Sequence, residues 1–134
     1  MEENSLKRTA LFDTHTALDA RMVGFGGWQM PVLYSGIAQE HLAVREAAGL
    51  FDISHMGEFL FDGPDVLEFL NRMLTNDLAR LEPGQGQYTL LCQDNGGVID
   101  DLYAYRLGDT RHLLIVNASR LEVDWMWIKA QRNA

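Results

Sequence analysis

The feature that most constrains the fold is a pair of strand-like segments that are joined by a short turn and carry two adjacent carboxylates. The segment Gln87 to Cys92 is rich in β-formers, and GGVIDDLYAY follows it at residues 96–105. The Asn95-Gly96 pair between them is typical of a β-hairpin with a type I′ turn, because both central residues of that turn need positive φ. The sequence therefore predicts that Asp100 and Asp101 lie on the second strand of a hairpin.

The two aspartates are predicted to face opposite sides of the sheet, because successive strand side chains alternate. An ionised carboxylate beside Ile and Tyr is costly unless a cationic or hydrogen-bonding group approaches it, and a ligand is one such group. In the alternative interpretation, one aspartate faces solvent and the other accepts backbone hydrogen bonds; the spacing alone leaves both open. The alternation assigns Val98, Asp100, Leu102 and Ala104 to one face and Ile99, Asp101, Tyr103 and Tyr105 to the other.

Length and composition predict a single globular unit that spans residues 1–134. Hydrophobic residues make up 47% of the chain and charged residues 22%, as in an average soluble domain. The net charge of -8 disfavours binding to nucleic acid or to an anionic membrane, because such binding needs a lysine- and arginine-rich surface. A small or basic partner fits this charge better.

Metal, disulfide and membrane functions are not expected. Cys92 is the only cysteine, which excludes an internal disulfide. The histidines His15, His41, His55 and His112 are scattered without ligand spacing, so no metal site is predicted. The N-terminus is too acidic and polar for a targeting peptide, and no apolar run approaches the roughly 20 residues of a membrane span. These features together predict a cytoplasmic protein.

The remaining pattern predicts an α+β fold, in which an antiparallel meander over residues 87–116 packs against helices. The continuous apolar run from His112 to Val116 is typical of a strand that is covered on both faces. Apolar residues at helical spacing indicate the helices. The helices are predicted at about residues 36–48, 64–75 and 119–131.

Local signals define several of these boundaries. Ser35 is a candidate N-cap for the first of the three helices, and Ser119 with Glu122 resembles a capping box for the last. The segment from Arg21 to Leu33 combines three glycines with Pro31, which favours an edge strand or an irregular segment. Its glycines lack the spacing of a dinucleotide-binding fingerprint. We therefore interpret them as structural.

Several side chains are candidates for ligand contacts. Tyr88 lies on the strand that pairs with the aspartate strand, so its ring is predicted to flank a flat heterocycle held beside Asp101. His55 is interpreted as a hydrogen-bonding brace of a bend rather than as a base. The last helix is apolar around most of its circumference, which predicts that it packs against another surface, in an oligomer or in further C-terminal domains. The tryptophans are more typical of core or interface positions, and they are Trp28, Trp125 and Trp127.

Five segments together resemble the N-terminal portion of aminomethyltransferase, the T-protein family of the glycine cleavage system. The resemblance covers about residues 8 to 130, in the order and spacing of the family. Family members are more than twice this length, so the chain is expected to be incomplete relative to their three-domain, cloverleaf-like body. The segments are RMVGFGGWQMPVLY, EHLAVREAAGLFDISHMGEFLFDGPD, LTNDLARL, YTLLCQDNGGVIDDLYAY and LLIVNASRLEVDWMWI.

The resemblance implies a tetrahydrofolate-dependent transferase of glycine catabolism. Such an enzyme takes the aminomethyl group from the lipoyl arm of a carrier, the H-protein, releases ammonia and forms methylenetetrahydrofolate. The catalytic aspartate of the family corresponds to Asp101, and tetrahydrofolate is an acceptor substrate that needs no metal. The positions implied to contact the folate are Met56, Leu60, Tyr88, Asp101, Val116 and Asn117.

A second hypothesis stays open beside the enzyme. The chain could be a non-catalytic folate-binding or interaction module, as a truncated paralogue or as one half of a split protein, because the later folate contacts of the family have no counterpart in it. The adjacent aspartates and the segment FDISHMGEF favour the aminomethyltransferase branch over related folate-binding proteins.

Overall fold

A computed structural model describes residues 6–132, which form two compact units divided between His55 and Met56. Both units combine helices with antiparallel strand pairs, which confirms the predicted α+β class. The organisation of residues 1–134 as a single unit stays a prediction. Among the helices that the described residues form, none has the length and apolar character needed to cross a membrane.

The N-terminal unit is built on a three-stranded sheet. Strand β3 is central, with β1 parallel to it on one side and β2 antiparallel to it on the other. In chain order, the elements are β1 (Lys7–Arg8), α1 (Phe12–Ala17), β2 (Arg21–Phe25), β3 (Trp28–Leu33) and α2 (Ile37–Glu46).

The segment predicted as one edge strand or an irregular segment forms a hairpin of two strands, so that prediction was wrong. Gly26 and Gly27 connect β2 to β3 with φ of 56° and 85°, values that glycine adopts without steric cost. Pro31 lies in β3 beside a register shift between Arg21 and Met22. A proline is tolerated there, because a bulge relieves the need for its missing N–H.

Helix α2 confirms the helix predicted at residues 36–48, but not its cap. Ser35 makes no side-chain capping bond; Gly36 is the N-cap residue. The carboxylate of Glu40 instead accepts hydrogen bonds from the backbone N–H groups of Tyr34, Ser35 and Gly36 at 2.8, 2.7 and 3.0 Å. A side chain from inside the helix thus satisfies the backbone donors at its start.

The C-terminal unit holds a four-stranded sheet in the order β4-β7-β6-β5, and every pair in it is antiparallel. Strands β5, β6 and β7 confirm the predicted meander, and β4 adds a fourth strand beside β7. The elements are β4 (Gly57–Asp62), α3 (Val66–Met73), a 3₁₀ turn (Leu78–Arg80), β5 (Gly86–Cys92), β6 (Val98–Arg106), β7 (Arg111–Val116) and α4 (Leu121–Gln131).

One face of this sheet is buried beneath a continuous hydrophobic core. Helix α3 contributes Leu70 and Met73, which are one turn apart and therefore lie on the same side of the helix. Full burial of a side chain such as Leu70 contributes about 1.5–3 kcal/mol. The core comprises Phe59, Leu70, Met73, Leu74, Leu78, Leu81, Leu91, Ile99, Leu102, Ala104, Leu114, Val116 and Ile128.

Helix α4 agrees with the helix predicted at 119–131, but the predicted capping box does not form. Arg120 is the N-cap residue and no side chain caps the helix. The Arg120 guanidinium donates a hydrogen bond to the carbonyl of Ile99 at 2.8 Å and thereby ties the start of α4 to strand β6. Trp125 and Met126 remain 43% and 65% exposed, in keeping with the prediction that α4 packs against another surface.

The hairpin that carries the aspartates forms as predicted, but its turn is of another type. The N–H of Gly96 donates to the carbonyl of Gln93 at 2.9 Å, and the N–H of Gln93 donates to the carbonyl of Gly97 at 2.8 Å. Gly96 has φ of 84°, whereas Asn95 is not among the described residues with positive φ. A type I′ turn requires positive φ at both central positions, so this is a three-residue loop closed by a glycine.

A register shift at the start of β6 changes the predicted faces. Leu91 pairs with Asp100 and Cys92 pairs with Val98, which leaves Ile99 as the extra residue of a bulge. Simple alternation would bury Val98 together with Asp100 and expose Ile99. The structure shows the reverse, with Ile99 buried and Val98 exposed. The assignment of Ile99 to the same environment as Asp101 was therefore wrong.

Candidate functional site

The C-terminal sheet has a covered face and an open face, and the candidate site lies on the open one. Because directly paired residues of neighbouring strands share a face, the register identifies its members. Aromatic and aliphatic side chains dominate this face, and Asp101 stands among them as a carboxylate. The open face carries Glu58, Leu60, Tyr88, Leu90, Asp101, Tyr103, Tyr105, Leu113 and Ile115, with Asp62 and Arg111 paired at its far end.

Asp101 and Tyr88 meet on this face, as the sequence predicted. The Tyr88 hydroxyl donates a hydrogen bond to Oδ2 of Asp101 at 2.8 Å. That hydrogen bond to the carboxylate, followed by burial and the negative charges of Asp101 and Asp100, raises the pKa of Tyr88 above its ordinary value. Tyr88 therefore keeps its proton at neutral pH and acts as a donor. Tyr103 lies directly opposite Tyr88 in the register, so two rings flank this corner.

Asn117, the residue after β7, joins the two aspartates. Its side-chain Nδ2 donates to Oδ1 of Asp100 at 3.0 Å and to the main-chain carbonyl of Asp101 at 2.9 Å, and lies 3.4 Å from Oδ1 of Asp101. Its backbone N–H donates to Oδ2 of Asp100 at 3.3 Å. A single amide thus fixes the backbone of the aspartate pair and reaches both carboxylates.

The two aspartates have opposite environments, which confirms the prediction that they face different sides of the sheet. Asp100 is 6% exposed and lies on the covered face with Leu102 and Ala104. Asp101 is exposed on the open face. Only Asp101 is therefore accessible to a ligand that approaches the open face.

The other residues predicted to contact the ligand do not all lie on the open face. Leu60 is 53% exposed on the open face of β4, and Met56 is half-buried immediately before that strand. Val116 is fully buried and pairs with Gly57, so its side chain points into the core and only its backbone is near the site. The roles of Met56, Leu60 and Val116 in binding a ligand stay predictions.

A second polar cluster, which the sequence analysis did not predict, lies within the N-terminal unit. The Tyr34 hydroxyl lies 2.7 Å from Nδ1 of His15, and Nε2 of His15 lies 2.8 Å from Oδ2 of Asp52. The backbone N–H of Ser54 donates to the other carboxylate oxygen of Asp52 at 2.9 Å. Burial by itself raises the pKa of Asp52. The hydrogen bonds from His15 and Ser54 outweigh this effect and hold the pKa of Asp52 well below its ordinary value.

This cluster, rather than His55, braces the bend. Asp52 ties the segment after α2 to His15 of α1, two elements that nothing in the local pattern connects. His55 instead packs edge-on against Phe25, with ring centroids 6.0 Å apart, and its Nδ1 has no hydrogen-bond partner within residues 6–132. The prediction that His55 forms the bracing hydrogen bond was therefore wrong for Nδ1. In the described part of the chain, no group of three His, Cys, Asp or Glu side chains could hold a metal ion.

The fold and the site define an α+β protein that presents the Asp101 carboxylate, held by a tyrosine and an asparagine, on an open sheet face. Residues 11–134 match the family model described as the GCVT N-terminal domain. The chain belongs to this family.

Curated relatives and a solved structure agree with that assignment. Aminomethyltransferase of Symbiobacterium thermophilum is 55% identical over 96% of this chain and 34% of its own length. Aminomethyltransferase of Bacillus subtilis is 51% identical over 92% of this chain and 34% of its own length. The crystal structure of glycine cleavage system aminomethyltransferase T from Bartonella henselae matches with a TM-score of 0.87 and 39% identity, over 95% of this chain and 36% of that one. The chain thus spans about a third of the length of these relatives.

Proposed function

We propose that this chain forms the folate-binding N-terminal part of an aminomethyltransferase of glycine cleavage. The aminomethyl group would come from the lipoyl arm of the H-protein, and tetrahydrofolate would accept it. The observation that carries the proposal is Asp101, whose carboxylate stands on the open face between the hydroxyl of Tyr88 and the amide of Asn117. Membership of the GCVT N-terminal domain family supports the same reaction class.

The open face suits a flat, nitrogen-rich ligand. Tyr88 and Tyr103 are 54% and 40% exposed and offer rings for stacking, and Leu60 adds apolar surface on the same face. A carboxylate in this position accepts hydrogen bonds from the N–H groups of a heterocycle. Folate combines a planar ring with several such donors, so the side chains of this face complement it.

The transfer balances without an oxidant or a metal. The aminomethyl carbon loses its bonds to the lipoyl sulfur and to its amine, and it gains bonds to two nitrogens of tetrahydrofolate. The protons that these two nitrogens release pass to the sulfur and to the departing ammonia. The products are the dihydrolipoyl carrier, ammonia and methylenetetrahydrofolate.

Asp101 would contribute in two ways to this reaction. The reacting carbon passes through an electron-poor, iminium-like state, and a fixed carboxylate stabilises that positive charge electrostatically. The same carboxylate orients the folate nitrogens and moves a proton between them and the leaving amine. General acid-base help of this kind is worth about 10²- to 10⁴-fold in rate.

The proposed reaction implies partners for this chain. The lipoylated H-protein is the protein partner, and further C-terminal domains or a second copy would cover the apolar surface that Trp125 and Met126 expose. Nucleic acid is not a partner in this proposal, because the net charge of -8 repels it. The cytoplasm stays the proposed compartment.

Calorimetric titration of tetrahydrofolate into the folded chain tests the binding part of this proposal. We expect saturable binding that is lost in Asp101→Asn and retained in the control Asp94→Asn, which alters an exposed carboxylate in the hairpin turn. Equal affinity in all three proteins would contradict the role of Asp101.

A non-catalytic folate-binding or interaction module is the second candidate, because the chain spans only about a third of its relatives' length. Incubation of the complete natural protein with tetrahydrofolate and a lipoylated carrier that bears the aminomethyl group separates the two. Release of ammonia supports the enzyme. Folate binding without ammonia release supports the module.

A further inference from the structure

Asp124 is a buried carboxyl group that the proposed reaction does not use. It lies in the first turn of α4, on the side of the helix that faces the sheet, and it is 0% exposed. Within residues 6–132, no N–H or O–H donor reaches either of its carboxyl oxygens. A fully buried carboxylate without donors is strongly disfavoured, because nothing replaces the water that it loses.

The acid that lies beside Asp124 and acts on its charge is Asp100, on the covered face of β6. Two carboxyl groups can share a hydrogen bond only when one of them carries a proton. Both oxygens of Asp100 already accept hydrogen bonds from Asn117, so the shared proton belongs on Asp124. In agreement, burial first, and then the hydrogen bond and charge of Asp100, raise the pKa of Asp124 to about 7, against the opposing charge of Arg120.

The other surroundings of Asp124 do not supply a neutralising partner. Among residues 6–132, Arg120 is the one cation that acts on it, and the Arg120 guanidinium is bound to the carbonyl of Ile99 at 2.8 Å. The β4 residues beneath α4 are uncharged: Gly57 lies against Leu121, and Phe59 packs on Trp125. The charge state of Asp124 is therefore set first by its burial and then by Asp100.

We propose that Asp124 is a positioning residue, whose neutral carboxyl group donates to Asp100 and thereby holds the Asn117 amide in place against Asp101. The consequence for folate rests on the proposed function. This series of contacts starts at Asp124 on α4, passes through Asp100 and Asn117, and ends at Asp101 on the open face. Loss of the Asp124 proton removes the hydrogen bond to Asp100 and leaves two buried anions side by side. Their repulsion displaces Asp100 and, with it, the Asn117 amide that Asp100 holds. Binding on the open face then weakens as the pH rises through neutrality.

The Asn117 side-chain amide provides a readout that needs no ligand. Its ¹⁵N and ¹H resonances are followed by NMR from about pH 5 to about pH 8.5, a range that spans the titration of Asp124 but lies above that of an ordinary aspartate. We expect a titration near neutrality in the wild type. Asp124→Asn, which keeps the shape and a permanent donor, abolishes it, and Glu122→Gln, an exposed acid of the same helix turn, preserves it. Identical titrations in wild type and Asp124→Asn would overturn the proposal.

Infrared spectroscopy of the wild type tests the proton itself and does not depend on a variant that folds. A protonated carboxyl group absorbs at a different wavenumber from a carboxylate. We therefore expect the band of the protonated Asp124 to persist at about pH 6, where ordinary aspartates are ionised, and to vanish as the pH rises. The absence of that band would overturn the proposal.

The functional consequence is tested through tetrahydrofolate affinity in the complete natural protein. We expect the affinity of the wild type to fall about tenfold between about pH 6 and pH 8, the effect of losing one hydrogen bond to a charged group. The Asp124→Asn variant should then bind tetrahydrofolate about as tightly as the wild type at the low pH. As the pH rises, the affinity of the variant divided by that of the wild type should increase. An equal decline in both would contradict the positioning role. If the wild type binds no tetrahydrofolate at any pH, the proposed function fails, whereas the Asn117 titration still decides whether Asp124 controls the amide.

Discussion

Asp100 and Asp101 are neighbours on one strand, yet the two faces of the sheet give them different chemistry. On the covered face, Asp100 is enclosed by the core and its oxygens are occupied by Asn117. On the open face, Asp101 is held by Tyr88 and Asn117 but remains accessible. The difference in burial therefore gives two adjacent carboxylates different roles. The buried Asp100 stabilises the structure, whereas the exposed Asp101 is accessible to a ligand.

Replacement of Asp101 is expected to have the largest effect. Asp101→Asn in the complete natural protein should lower the turnover of aminomethyl transfer by at least about 10²-fold and up to about 10⁴-fold, because it removes the charge and the proton acceptor. The melting temperature should stay near that of the wild type, since the side chain is exposed. Steady-state ammonia release and thermal unfolding measure the two quantities, and near-native turnover would rule out the role.

Replacement of Asp100 is expected to act on stability instead. Asp100→Ala leaves the Asn117 donors and the Asp124 carboxyl group without a buried partner, at a cost of about 1–3 kcal/mol in the free energy of unfolding. Urea denaturation measures this loss, with the exposed Asp94→Ala as the control. A large loss of turnover at unchanged stability would show that Asp100, rather than Asp101, is the working carboxylate.

Removal of the amide that connects the faces should have an intermediate effect. Asn117→Ala deletes donors to both aspartates, and we expect about a tenfold loss of tetrahydrofolate affinity, the value of one hydrogen bond to a charged group. Calorimetry measures the affinity. Because Asn117 also supports the buried Asp100, stability should fall too, and unchanged affinity together with lower stability would confine Asn117 to the covered face.

The smallest effect should come from the Tyr88 hydroxyl. Tyr88→Phe keeps the ring but removes the hydrogen bond to Asp101, which is worth about 1 kcal/mol or roughly fivefold in affinity. Tyr103→Phe is the matched control, because the Tyr103 hydroxyl makes no hydrogen bond to Asp101 in the described part of the chain. Equal losses in the two variants would indicate direct contacts of both hydroxyls with the ligand.

Much of this contrast could be predicted from the sequence, because it depends on local patterns. The period of two on β6 separates Asp100 from Asp101, and the apolar run of β7 and the helical spacing of Leu70 and Met73 predict the elements around them. These features need no knowledge of distant residues.

The features that the sequence did not predict depend on contacts between distant parts of the chain. The bulge at Ile99 follows from the register against β5, and the acid pair follows from the packing of Asp124 in α4 on Asp100 in β6. The anchoring of Asp52 by His15 is likewise nonlocal. In each case, a single segment carries no signal for its partner, because tertiary packing selects among locally equivalent arrangements.

The most direct test of the account is to determine which face of the sheet responds to tetrahydrofolate. NMR of the protein with ¹³C-labelled Leu methyl groups and Tyr rings, with the ligand added stepwise, reports both faces at once. The account predicts perturbed signals for Leu60, Tyr88 and Tyr103 on the open face, and little change for Leu102 and Leu114 beneath it. Perturbation of the covered face alone, or binding that leaves the open face unchanged, would contradict the proposal that Asp101 and its neighbours form the folate site.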